Sequence, residues 1–129
     1  MFKSKAVTRS LGILTASTAL LLGSAGIASA ADTYNYLSDI DGHSVGYMKH
    51  NDEEPDSFTI CDTQADGYGV TGAVYIYQGV WARVGPVLTD GGDAGCDTTP
   101  IEITNPWDYK MEICWNGPGN ICHTQKFEE

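Results

Sequence analysis

Positive charge is scarce in this chain: 7 Lys and Arg stand against 17 Asp and Glu in 129 residues. Three of the seven, Lys3, Lys5 and Arg9, fall in the opening "MFKSKAVTRS", which holds no acid. The apolar stretch "LGILTASTALLLGSAGI" follows and ends in "ASA" at residues 28–30. A basic start, an apolar middle and small residues at a cleavage point predict a secretory signal over residues 1–30. The stretch is broken by Thr, Ser and Gly, and falls short of the ~20 apolar residues that a bilayer span needs. Cleavage leaves a single domain, 31–129, of about 98 residues, enough for a small core. Only Lys49, Arg83, Lys110 and Lys126 then face all 17 acids, a net charge of 4 − 17 = −13. That balance argues against nucleic acid and against the membrane surface as partners, since both carry negative charge. It leaves a basic protein or a divalent cation as a possible partner.

Catalytic motifs are also missing. There is no Gly-x-Ser-x-Gly and no His-Glu-x-x-His, and residues 31–129 hold only three serines and three histidines. A carboxylate pair for glycoside hydrolysis needs a cleft, which a turn-rich domain of this size rarely forms. The expectation is a protein that is not an enzyme and needs no cofactor.

Helical periodicity is absent after residue 30, and short alternating runs take its place. Strands are expected over 43–49, 57–62, 68–77, 80–84, 101–104, 109–115 and 121–127. The acidic "NDEEPD" (51–56) reads as a turn. "GPVLTDGGDAGCDTTP" (85–100), with four glycines and three aspartates, reads as a loop. In "HSVGYMK" Val45 and Tyr47 are expected on one face, against Ser44, Gly46 and Met48. "ADTYNYLSDIDG" (31–42) is either a loose arm, able to dock by strand addition, or an edge strand. Six or seven short strands with frequent turns predict an all-β fold, a small antiparallel sandwich or barrel.

Four cysteines, Cys61, Cys96, Cys114 and Cys122, are an even number in an exported chain, so two disulfides are expected. Three pairings are possible; the most local joins Cys114 to Cys122 and Cys61 to Cys96. In "CWNGPGNIC" the Cys-x7-Cys spacing suits neither a zinc ribbon nor a thiol-redox motif, although His123 and Glu112 lie near. A stapled hairpin is the expected reading, with Asn116 and Pro118 at a tip able to meet a partner. No metal site is assigned. Asp39 and Asp41, or Asp90, Asp93 and Asp97, supply oxygen ligands on glycine-rich backbone, so a calcium module stands as an alternative. Twelve aromatics in residues 31–129 exceed what a small core holds. Tyr75, Tyr77, Trp81, Trp107 and Trp115 are the candidate contact residues, because aromatics concentrate at interfaces and stack on sugars.

"CDTQADGYGVTGAVYIY", "GGDAGCD" and "MEICWNGPGNIC", within residues 57–124, together resemble small secreted actinobacterial proteins with four cysteines. Most of those carry no assigned activity. Exported proteins of this type include hydrolase inhibitors and antibiotic-carrying apoproteins, and adaptor subunits of secreted toxin particles are of comparable size. No inhibitor's reactive-site signature is present, so the resemblance transfers no functional residue. The expectation is a secreted, extracellular protein that binds an extracellular protein partner as an adaptor or accessory subunit. Hydrolase inhibition, carbohydrate binding and calcium binding are the alternatives.

Overall fold

The computed structural model describes residues 31–91, 95–104 and 106–128. The expected signal (1–30) and Asp93 lie outside the described residues. Among the described residues eight strands run β1 (Thr33–Ser38), β2 (Ser44–Asn51), β3 (Ser57–Asp62), β4 (Val70–Tyr77), β5 (Trp81–Asp90), β6 (Asp97–Pro100), β7 (Asp108–Trp115) and β8 (Cys122–Phe127). They form two antiparallel four-stranded sheets. Sheet A has the order β1-β2-β3-β6, and sheet B has β5-β4-β7-β8. The expected all-β sandwich is therefore present, as a sandwich rather than a barrel, with eight strands instead of six or seven.

Alternation along the strands builds the core. Met48, Phe58, Ile60, Val70, Val74, Met111 and Ile113 are all fully buried between the sheets. Each such side chain contributes about 1.5–3 kcal/mol relative to exposure. The core face of β2 differs from expectation. Met48 and His50 point inward while Tyr47 is only half-buried. Val45 has no partner on β1, because the register shifts between Leu37 and Ser38. That bulge reverses the parity and turns Val45 into the core as well.

Two further expectations are corrected. The supposed loop 85–100 contains half of β5 and all of β6. Gly85, Pro86 and Val87 stand opposite the single residue Ala73, so the ladder skips there and resumes at Leu88 opposite Gly72. Pro86 removes no ladder bond that matters, because β5 is an edge strand. Residues 101–104, expected as a strand, join no ladder. Ile101 and Ile103 are nonetheless buried where the chain crosses from sheet A to sheet B. Their alternation reports burial, not pairing. The crossing is fixed by Tyr109, whose hydroxyl donates to the Thr104 carbonyl at 3.0 Å and accepts from the Thr104 amide at 3.1 Å.

Residues 31–42 contain the edge strand β1 and not a loose arm. Buried Asn35 donates to the carbonyls of Met111 (3.1 Å) and His123 (3.0 Å), tying β1 to the opposite sheet. At the other end, the turn after β2 closes on a second buried polar pair. His50 Nε2 meets Asp56 Oδ1 at 3.0 Å, and the ring stacks on Phe58. Both residues are buried.

Candidate functional site

Ladder register decides which distant residues share the outer face of sheet B. Tyr75 on β4 lies opposite Arg83 on β5 and Lys110 on β7, and Lys110 lies opposite Lys126 on β8. Arg83, Tyr75, Lys110 and Lys126 therefore form one row across all four strands. The next row places Trp81 beside Tyr77, with ring centroids 5.2 Å apart. The Lys110 ammonium sits 4.4 Å from the Trp81 centroid and 5.4 Å from that of Tyr75; the Lys126 ammonium is 6.0 Å from Trp81.

Two lysines directly opposite each other repel. Here they share one indole, whose electron-rich face offsets part of that repulsion by about 0.5–1 kcal/mol per cation at an exposed site. None of Arg83, Lys110 and Lys126 forms an ion pair among the described residues, where the pairs are Lys49–Asp32, His43–Asp39 and His50–Asp56. In a chain with acids in such excess, three cations in one row without a carboxylate partner, Arg83 set apart from the two lysines by Tyr75, are an unusual concentration. Tyr75, Tyr77 and Trp81, expected as contact residues, are thus gathered at one site. Trp107 is exposed beside Asp108, the residue opposite Tyr77.

Trp115 and Asn116 belong to a different region. The Trp115 indole packs over Gly117, where a Cβ would come within 2.2 Å of the ring, and meets Tyr68 edge-on. Its Nε1 donates to Asp66 Oδ2 at 3.0 Å. Asn116 donates its amide to the Gly69 carbonyl at 2.9 Å and accepts from Thr71 Oγ1. These bonds hold the segment between β3 and β4 against the β7–β8 hairpin.

The result is an open groove of about 690 Å³ at one end of the sandwich, lined by Asp62, Gln64, Tyr68, Asp90 and Asn116 among others. Gly69 and Gly91 form its floor. A Cβ on Gly69 would lie 2.8 Å from the Asp90 carbonyl, and one on Gly91 would lie 2.8 Å from the Gly69 Cα, so only glycine permits this approach. The groove is acidic. Burial pushes the Asp62 carboxyl above its ordinary pKa; the Gln64 amide bond opposes that, and the charges of Asp66 and Asp90 add to it.

Both disulfides take the most local pairing, Cys61–Cys96 and Cys114–Cys122, and no described cysteine is free. The second joins directly opposed residues of β7 and β8 behind the Pro118 tip, which is exposed. Asp39 already accepts the amides of Asp41 and His43, at 3.0 and 2.9 Å. These two bonds shape the expected Asp39–Asp41 cluster into a turn, in which ligand atoms of Asp39, Asp41 and His43 lie within 4.8 Å of one another, and the His43 bond is the main cause of a lowered Asp39 pKa.

No family model, no curated protein and no solved structure matches this chain. Sequence reasoning picked Tyr75, Tyr77 and Trp81 by composition and position. It missed Arg83, Lys110 and Lys126, whose proximity depends on strand register. The available signal was the count itself: three of four cations in residues 31–129 alternate outward on predicted strands.

Proposed function

We propose that this protein is a secreted, non-catalytic binding protein that engages an extracellular protein partner through the outer face of sheet B. The carrying observation is the row Arg83–Tyr75–Lys110–Lys126, three cations without carboxylate partners around exposed and half-exposed aromatics. Such a surface suits an acidic patch on the partner, with Trp81 and Tyr77 supplying contact area. The remaining surface, strongly negative, repels the same partner in every other orientation and so narrows the docking geometry. Two disulfides in a domain this small are compatible with an extracellular setting.

Carbohydrate binding at Trp81 is less well supported, because Lys110 covers the ring a sugar would stack on. Inhibition of a protease by the hairpin tip is also less well supported. Proteases read extended segments, and the tip is a tight turn with Asn120 at φ 45°. The test is capture from culture medium by the immobilised protein, in parallel with Lys110→Glu/Lys126→Glu. A partner retained by the native protein and lost, by about 100-fold in affinity, on charge reversal supports the reading. Equal retention by both refutes it.

A further inference from the structure

The acidic end groove contains a feature that its surface charge does not explain. Asp90 is 3 % exposed. Its Oδ2 accepts the Asp62 amide at 2.6 Å, while its Oδ1 is buried with no donor among the described residues. The side-chain oxygen of Gln64, in the same lining, is likewise buried with no donor. An acceptor shut away from both water and donors is costly, and a carboxylate oxygen more so than an amide. Among the described residues, no Lys, Arg or His lines the groove.

What is lacking is a group that carries positive charge, takes only oxygen ligands and reaches oxygens recessed from solvent. A hard divalent cation meets all three conditions. A partner's ammonium meets the first two but brings a stem that the recessed oxygens do not admit. Magnesium sheds its water reluctantly, whereas calcium accepts irregular sets of six to eight oxygens. We propose that the groove is a calcium site, with Asp90, Asp62 and the Gln64 side-chain oxygen as its protein ligands and water completing the shell. Asp62 Oδ1 already accepts the Gln64 amide at 3.1 Å, which holds these two ligands together on one turn. The third, Asp90, ends β5, so the ion ties the β3–β4 connection to the β5 edge. This site is independent of the docking face on sheet B.

The test uses the native protein after chelation, with calcium chloride, magnesium chloride and terbium chloride as probes. Trp115, bonded to Asp66 beside the groove, is placed to sensitise terbium emission. Calcium is expected to bind with Kd near ~10⁻⁴–10⁻³ M, the range of extracellular modules. At ten times Kd it should raise Tm by about 5–10 °C, while magnesium at equal ionic strength does not. Asp62→Asn and Gln64→Leu should each weaken calcium at least about tenfold and reduce sensitised terbium emission to match. Asp90→Asn is informative if it folds; the other two variants decide if it does not. Asp39→Asn/Asp41→Asn, in the exposed turn, should bind as the native protein does. The proposal is overturned if the native protein shows no calcium-dependent shift at about 10 mM. It is equally overturned if Asp62→Asn and Gln64→Leu bind unchanged.

Discussion

The outer face of sheet B and the groove at the sandwich end carry opposite charge for different physical reasons. On the face, Lys110 and Lys126 stay solvated at their tips and lean on Trp81, so their charge is available to a visitor. In the groove, Asp90 is drawn below the surface by the Asp62 amide, and its charge acts inward. In a chain this acidic, one more exposed carboxylate conveys little, whereas a desolvated carboxylate or an unpaired cation conveys much. Rarity and burial, rather than charge alone, mark the two regions.

Removing the two disulfides separately gives the largest effects. Cys61–Cys96 closes a separation of 35 residues beside the groove, and Cys114–Cys122 closes 8 on sheet B. By chain entropy the first contributes about 3.8 kcal/mol and the second about 2.5 kcal/mol. Paired Cys→Ala variants in denaturant should therefore rank with Cys61→Ala/Cys96→Ala the less stable. The reverse order would mean that the sheet B hairpin, not the β3–β6 edge, limits stability.

The two tryptophans sharpen the same contrast at a smaller scale. Trp115 is packed and hydrogen-bonded, so Trp115→Ala should cost about 3 kcal/mol. Trp81 lies on the outer face under a lysine, and Trp81→Ala should cost less than about 1 kcal/mol while weakening partner binding. Comparable losses in urea unfolding would remove the distinction between a structural and a presenting aromatic.

The smallest effect concerns pH. Asp62 has a folded pKa above its unfolded value, so the native state binds more protons between the two. Its contribution therefore favours folding below that window and is lost as pH rises through it. In calcium-free buffer, Asp62→Asn should flatten the stability profile above the ordinary aspartate range and leave stability at neutral pH equal or slightly higher. A variant less stable at neutral pH would mean that the ionised carboxylate is already compensated.

Much of the fold was legible because it rests on local rules. The cysteine spacing pointed to the Cys114–Cys122 staple while leaving three overall pairings open, and alternation located β3, β4, β7 and β8. What escaped notice depends on partners distant in sequence. The β5 ladder survives Gly85 and Pro86 only because an edge strand can skip three residues, which composition reads as loop. Ile101 and Ile103 alternate for burial without any strand to pair with. The sites follow the same division. Tyr75, Tyr77 and Trp81 were visible as aromatics on strands. The lysine row needed the β4–β7–β8 register, and Asp62 meets Asp90 across 28 residues only once the sheets face each other.

The proposed docking face has a built-in control, because residues 31–129 hold only three lysines. Lys110 and Lys126 lie on sheet B, and Lys49 lies on sheet A, paired with Asp32 at 2.8 Å. Reductive methylation of the free protein and of its captured complex, read by mass spectrometry at each lysine, measures the face directly. The partner is expected to slow modification of Lys110 and Lys126 at least about tenfold and to leave Lys49 unchanged. Protection of Lys49 with Lys110 and Lys126 still reactive would contradict the proposed face.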